Sequence, residues 1–222
     1  MIDADPDANI SDLLNKHVTF RDTIAGSVSE IGRKIERKEI PPYLTEKSLV
    51  EEEIFRHIIP FNYFDLIVLG RSEGEGCYCS INNILRHLMK VLAENYKITV
   101  IDSPAGLEFF ARKVSVDVDD LILITDPSKM SFHTLQTVIE VKNEVSLYFK
   151  NIWVLGNRFN EKTKKLFIER FEKKLVNHMK LLGFIGNNDE IQKFNLSNKS
   201  LLELPENNSV YKEAIKIYSK II

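Results

Sequence analysis

The stretch Lys97–Gly106, KITVIDSPAG, decides the fold class of this 222-residue chain. An apolar run ends in Asp102, and a turn containing Pro104 and Gly106 follows it. That order is typical of a buried strand that delivers a polar side chain to the edge of a sheet. Runs of the same kind are expected as further strands, at about 65–70, 120–125, 151–156 and 181–185.

The segments between these runs are longer, charged and periodic. We expect them to be helices, at about 80–94, 131–147, 160–178 and 208–221, with Ser131 and Asn160 as N-caps. The region 8–60 has no buried-strand signal and is expected to hold helices near 9–15, 21–38 and 45–58. The alternation predicts an α/β fold: a three-layer, mostly parallel sheet with helices on both faces, in a single domain over residues 1–222.

Composition excludes several classes of protein. Thirty Lys and Arg residues nearly balance 32 Asp and Glu residues, so no global field favours nucleic acid or an acidic membrane. Two cysteines, Cys77 and Cys79, are too few for a disulfide framework. The longest apolar runs fall far short of the roughly 20 residues that cross a bilayer, and no basic start precedes an apolar run. We therefore expect a cytoplasmic protein.

The carboxyl end of the strand 97–102 is a candidate site. Ligands of open parallel sheets bind at that edge, where the Asp102 carboxylate would hold a water of a Mg²⁺ shell. The N–H of Gly106, unshielded by a side chain, would approach a γ-phosphate. The alternative is structural: Asp102 caps the next helix, and Pro104 and Gly106 are turn residues.

A second candidate lies at 1–9, MIDADPDAN. Asp3, Asp5 and Asp7 alternate, and Pro6 restricts the backbone directly after Asp5. Asp5 is thus a candidate to orient the water that attacks a phosphate. The alternative is that the aspartates end a strand and cap a helix that starts near residue 9.

Together, DADPDAN at 3–9 and IDSPAG at 101–106 resemble the two switch regions of the MinD, ParA and ArsA-like P-loop ATPases, the SIMIBI superfamily. The resemblance covers essentially the whole chain and continues at 151–158, NIWVLGNR. It implies ATP or ADP with Mg²⁺ as cofactors. The family usually has a proline after its next strand, where this chain has Gly186.

The same resemblance implies roles for individual residues. Asp5 and Asp102 are the implied catalytic residues, and Asp3 and Gly106 the implied cofactor-binding residues. Asn157 matches the family's asparagine that contacts adenine. If the resemblance is set aside, an ordinary turn after a strand explains the Gly-Asn pair that ends in Asn157 equally well.

Within that superfamily, residues 70–79, GRSEGEGCYC, resemble the signature of the CooC-type ATPases, which help to insert nickel into carbon monoxide dehydrogenase. In an extended Cys-x-Cys, Cys77 and Cys79 would point to one side and half-coordinate a soft metal. A symmetric dimer would complete an S₄ set for Ni²⁺ or Zn²⁺, and the family places such a site at its dimer interface. The alternatives are two small buried apolar residues or a strained redox pair.

The resemblance also implies partners: a homodimer, and apo carbon monoxide dehydrogenase or a related nickel enzyme. The balanced charge gives no reason to expect nucleic acid or a membrane as a partner. Two rival functions stay open. One is a MinD/ParA-like positioning ATPase that acts at the membrane, and the other is a pseudo-ATPase interaction protein without hydrolysis.

The sequence also departs from the family in its phosphate-binding loop. It contains no G-x-x-x-x-G-K-[ST] loop, so the family's first strand, P-loop and first helix, roughly 35 residues, are expected to be absent before residue 1. The absent strand is expected to lie between the two switch strands. A fragment that starts at an internal Met and a degenerate protein that no longer hydrolyses ATP both explain this pattern.

Overall fold

The structure is a computed structural model that describes residues 1–40, 48, 52, 55–71, 90–92, 94–104, 118–144 and 148–221. Its contacts form two compact units, one containing the described residues up to Pro104 and the other those from Val118 onward. The assignment of the whole chain to one domain stays a prediction.

The first unit contains a four-stranded sheet. Its strands are β1 (Ile2–Asp3), β2 (Ile59–Pro60), β3 (Asp65–Val68) and β4 (Ile101–Asp102), in the order β2-β3-β1-β4. β1 runs parallel to both β3 and β4, whereas β2 is antiparallel to β3. Because a central strand is covered on both faces, the three residues of β3 after Asp65 are apolar and buried: Leu66, Ile67 and Val68.

The position of β1 corrects the expected strand order. Ile2 pairs with Ile101, and Asp3 pairs with Asp102, so β1 and β4 are direct neighbours and no strand lies between them. The backbone of β1 is fully engaged, since Ile2 N–H donates to the Val100 carbonyl (2.8 Å) and Ala4 N–H donates to the Asp102 carbonyl (2.8 Å). Strand order is set by long-range pairing that local patterns do not report.

Two helices follow β1 in this unit. α1 spans Asn9–Leu13 and α2 spans Ile24–Glu36. α2 starts three residues later than expected because a 3₁₀ turn, Phe20–Asp22, precedes it and Thr23 caps it, accepting from the N–H of Gly26 at 3.2 Å. The buried face of α2 includes Ile24, Ala25 and Ile31.

The second unit is a three-stranded parallel sheet with helices. Its strands β5 (Val118–Thr125), β6 (Phe149–Asn157) and β7 (Lys180–Ile185) lie in sequence order. The helices are α3 (Lys129–Glu144), α4 (Glu161–Lys174), α5 (Asp189–Leu196) and α6 (Ser209–Tyr218). The sequence did not predict α5. It begins after Asn188, whose side chain accepts from the N–H groups of Glu190 and Ile191.

Of the two expected N-caps in this unit, one is confirmed. Asn160 accepts from the N–H groups of Lys162 and Thr163 at 3.0 Å each. Ser131 is not an N-cap, because α3 already begins at Lys129; instead the N–H of Ser131 donates to the hydroxyl of Ser128.

Helices cover both faces of the second sheet, which confirms the predicted α/β fold class. One face carries an aromatic core in which the Phe167 ring touches four others, with centroids 5.2–6.0 Å away: Phe132, Phe159, Phe171 and Phe184. On the other face, Ile217 of α6 packs against Leu155 and Leu182. Gly183 permits this approach, because a Cβ there would lie 2.8 Å from the Ile217 side chain. No helix among the described residues has the length and apolar content to cross a membrane.

The aromatic core yields a stability prediction. Phe167→Ala removes the ring on which four others pack, so we expect a loss of about 3–5 kcal/mol in the free energy of unfolding. Urea denaturation followed by the fluorescence of Trp153, the only tryptophan of the chain, measures it. The neighbouring Leu166 is 67% exposed, so Leu166→Ala is the matched control and should change stability by less than about 0.5 kcal/mol. Equal effects of the two substitutions would contradict the packing described.

Candidate functional site

Three carboxylates gather where β1 and β4 end. Asp3 and Asp102 are paired residues on adjacent parallel strands, and Asp5 follows two residues after Asp3. We call Asp3, Asp5 and Asp102 the carboxylate edge. It lies at the carboxyl ends of the strands, the side on which open α/β sheets bind ligands.

Asp3 is the organising residue of this edge. It is fully buried, and each of its oxygens accepts a backbone N–H: Oδ1 from Asp5 at 3.2 Å and Oδ2 from Ile10 at 3.0 Å. The N-cap of α1, Ala8, has a left-handed conformation (φ 52°) and offers no side-chain acceptor. Asp3, which lies at the end of β1, therefore caps α1 in place of Ala8 and holds the turn between β1 and α1.

The turn between β1 and α1 fixes Asp5. Its Oδ1 accepts the N–H of Asp7 at 2.9 Å, and its carbonyl accepts the N–H of Ala8 at 3.0 Å. Asp7 in turn accepts from Arg71, at 3.3 Å, in an exposed ion pair. Such a pair adds little stability, but it joins the turn to the segment that follows β3.

The electrostatics of the edge favour a cation. Burial raises the pKa of Asp3, and Asp102 and Asp5 raise it further, although the two backbone N–H groups act in the opposite direction. Burial also raises the pKa of Asp102, with Asp5 adding to the effect. Ionised carboxylates that are desolvated and close to one another are stabilised by a positive ligand.

The composition of the edge suits Mg²⁺ held together with phosphate. Among the described residues, no group of three or more His, Cys, Asp and Glu side chains forms a ready-made metal site. Mg²⁺ commonly takes only one or two carboxylates and completes its shell with waters and phosphate oxygens. The residues present therefore fit a nucleotide-bound Mg²⁺ rather than a protein cage.

Asn157 is found at the end of β6, as expected, where it pairs with Ile185 of β7. It is half-buried, and the next residue, Arg158, has a left-handed backbone (φ 62°). Gly156 is required before it, because a Cβ there would come within 2.3 Å of the Phe184 ring. The role of Asn157 toward adenine stays a prediction.

One contact at the end of β7 was not foreseen. The N–H of Gly186, which stands where the family has a proline, donates to the Glu213 carboxylate of α6 at 3.2 Å. A proline has no such donor, so the departure from the family pattern has a structural consequence. The capping of α1 by Asp3 agrees with the alternative that these aspartates cap the helix near residue 9, but no local spacing rule predicts Ile10, seven positions away, as the partner.

Three predicted site residues, Gly106, Cys77 and Cys79, lie outside the described residues. Their roles stay predictions.

The α/β architecture is the fold of the MinD/ParA-like P-loop NTPases. The chain is 38% identical to the uncharacterised ATP-binding protein MJ0685 of Methanocaldococcus jannaschii, over 222 residues that span all of this chain and 86% of that protein. It therefore belongs to the family of that ATP-binding protein. No protein-family model matches it.

Two further comparisons bear on the fold and on the subfamily. The structure aligns with that of the MinC:MinD cell division protein complex from Aquifex aeolicus with a TM-score of 0.63, at 17% identity, over 99% of this chain and 81% of that one. This likeness concerns the fold alone. The carbon monoxide dehydrogenase accessory protein CooC of Rhodospirillum rubrum is 23% identical over 164 residues, 71% of this chain and 62% of that protein.

The raised pKa of Asp102 gives a pH-dependent prediction. Above this raised pKa the ionised carboxyl destabilises the fold, so Asp102→Asn should raise the melting temperature at pH 7. As the pH falls through the raised pKa toward the ordinary aspartate value of about 3.9, the wild-type carboxyl takes up its proton and the difference should vanish. Millimolar Mg²⁺ should stabilise the wild type more than the variant.

The matched control is Asp119→Asn, an exposed aspartate of β5. Thermal unfolding between pH 3 and pH 8 measures both variants. An Asp102→Asn variant that is less stable than the wild type at pH 7 would overturn the electrostatic interpretation of this edge.

Proposed function

We propose that this protein is an ATP-dependent maturation factor of the CooC type, which couples ATP binding, hydrolysis and dimerisation in the cytoplasm to nickel insertion into carbon monoxide dehydrogenase or a related enzyme. The observation that carries the proposal is the in-register pairing of Asp3 with Asp102 beside Asp5, in a member of an ATP-binding family. The subfamily rests on GRSEGEGCYC at 70–79 and on the CooC relative.

Each carboxylate has a distinct task in this proposal. Asp102, at the more exposed end of the edge, holds the water shell of Mg²⁺. Asp5, fixed by the N–H of Asp7, orients the water that attacks the γ-phosphate. The carboxylate of Asp3 accepts the backbone N–H of Asp5 and thereby keeps Asp5 in place. Bound Mg²⁺ would supply neutralisation of the charge on the phosphates.

The contacts of the turn suggest how hydrolysis reaches the metal loop. Asp7 lies two residues after Asp5 and is bonded to Arg71, the second residue of the segment 70–79 that contains both cysteines. A movement of the turn on loss of the γ-phosphate would be passed to Arg71 by this ion pair. In this proposal Ni²⁺ is cargo: Cys77 and Cys79 of two subunits bind it in the ATP-bound dimer and release it after hydrolysis.

The rival positioning function requires an apolar helix face that is available to a membrane. The last described helix, α6, instead buries Ile217 against Leu155 and Leu182. That packing favours a structural role for α6 and makes the maturation factor the better-supported function.

The role of Asp5 can be tested with the protein expressed from its complete reading frame. Asp5→Asn should lower ATP hydrolysis by about 100-fold or more, because the attacking water loses its orienting carboxylate. ATP affinity should change little. Phosphate release and equilibrium binding of a fluorescent ATP analogue measure the two quantities.

Asp12→Asn, an exposed aspartate on α1, is the matched control and should hydrolyse ATP at the wild-type rate. If the wild-type protein binds no ATP, the pseudo-ATPase alternative is correct and the proposal fails. If Asp5→Asn hydrolyses ATP normally, Asp5 does not have the proposed role.

The metal role has a separate test. With ATP, the wild type should bind one Ni²⁺ per dimer, since four thiolates form one soft-metal site. Cys77→Ser and Cys79→Ser should each lose this ion, whereas His133→Gln, which replaces an exposed histidine on α3, should keep it. Metal analysis after gel filtration gives the stoichiometry. Equal nickel contents in the wild type and the cysteine variants would refute the metal site.

A further inference from the structure

A hollow of about 210 Å³ lies at the amino ends of β6 and β7, the opposite sheet edge from Asn157. Its polar lining comes from Lys142, Lys150, Asn151, Asn177, His178 and Lys180. We call this site the basic hollow. None of its lining residues is acidic, although the chain as a whole carries a formal net charge of −2.

Helix capping does not account for the positive charge. Lys142 lies in the last turn of α3, where a cation balances the negative helix end. Lys150 and Lys180, however, belong to the strands β6 and β7 and not to the last turn of a helix. Within the described part of the chain, neither Lys142 nor Lys150 forms an ion pair with a carboxylate.

A ladder of side chains across three strands holds Lys180 in position. Its ammonium donates to Oδ1 of Asn151 at 2.8 Å, and Nδ2 of Asn151 donates to Asp120 of β5 at 2.9 Å. Trp153 Nε1 also donates to Asp120, at 2.7 Å, and the Lys180 ammonium lies 5.1 Å from the centre of the Trp153 ring. The cation is thereby preorganised, which reduces the entropy lost when an anion binds.

We propose that the basic hollow binds a small anion that carries a diphosphate group. Three lysines line one concave site and together attract a ligand with several negative charges, and lysine serves as a compact point charge for phosphate oxygens. The low-dielectric walls of a hollow strengthen this attraction relative to a flat surface. The ligand is either free diphosphate or the diphosphate of a nucleotide, and the experiment separates these two sources.

The experiment titrates the full-length, ¹⁵N-labelled protein with pyrophosphate at low ionic strength. We expect saturable shifts of the amides at 149–152 and 176–180. The fluorescence of Trp153 should change in parallel, because its ring neighbours Lys180. Lys142→Gln, Lys150→Gln and Lys180→Gln should each weaken binding several-fold, and the double Lys142→Gln/Lys150→Gln variant at least tenfold. Asn151→Ala keeps every lysine but releases Lys180, and should weaken binding to a smaller extent.

Lys216→Gln, an exposed lysine on α6 outside the hollow, is the matched control and should bind as the wild type does. A parallel titration with ADP identifies the source: tighter binding than pyrophosphate at the same amides indicates a nucleotide, and weaker binding indicates free diphosphate. Asp102→Asn should not alter either titration at these amides. The test of the basic hollow is therefore independent of the role proposed for the carboxylate edge.

Three results would overturn the proposal. One is the absence of saturable shifts at millimolar pyrophosphate, and another is equal weakening by Lys216→Gln, which would indicate diffuse attraction. The third is tighter binding of a poly-glutamate peptide at the same amides, which would make the hollow a docking site for an acidic protein segment.

Discussion

The parallel pairing of Asp3 with Asp102 is the constraint on which the first unit depends. Register places two carboxylates side by side at the ends of β1 and β4, where both lose solvation. Two backbone N–H groups partly offset the desolvation of the Asp3 carboxylate, whereas the Asp102 carboxylate is exposed to water. What remains at neutral pH is an electrostatic cost that a bound cation relieves, and perturbed carboxylates of this kind cluster at functional sites.

Asp3 has two connected consequences. By accepting the N–H of Ile10 it starts α1, and by accepting the N–H of Asp5 it sets the direction of the turn. Any change in the charge at the edge therefore acts on the same oxygens that hold the turn and the helix. A switch segment needs this coupling of a local charge to a movable element.

Much of the fold followed from the sequence, and the exceptions have physical causes. The strands near 65–70, 151–156 and 181–185 were predicted because each is an uninterrupted apolar run with a polar end. β1 and β4 have only two residues each, and their direct pairing was missed because neighbours in a sheet are chosen by contacts distant in sequence. α5 was missed although Asn188, Asp189 and Glu190 form an ordinary helix start.

The candidate site shows the same division. The roles of these residues stay predictions; the choice of Asp3, Asp5, Asp102 and Asn157 as candidates came from the sequence motifs and the family resemblance. Their contacts did not, because hydrogen bonds such as Asp3 to Ile10 and Gly186 to Glu213 depend on the turn geometry of the folded chain. Choosing these residues therefore gave no information about the particular atoms that hold them.

The two units differ in the way they are stabilised, and this difference bears on function. The second unit has long paired strands and five phenylalanine rings in mutual contact, which favour a rigid scaffold. The first unit places its carboxylates on strands of two residues, supported by a short helix and by hydrogen bonds to single side chains. Asp102 is exposed at the end of its strand, and an exposed strand end opens at a lower free-energy cost than a packed core. A residue that must change position when a phosphate leaves is better placed on such a short strand than within the aromatic core.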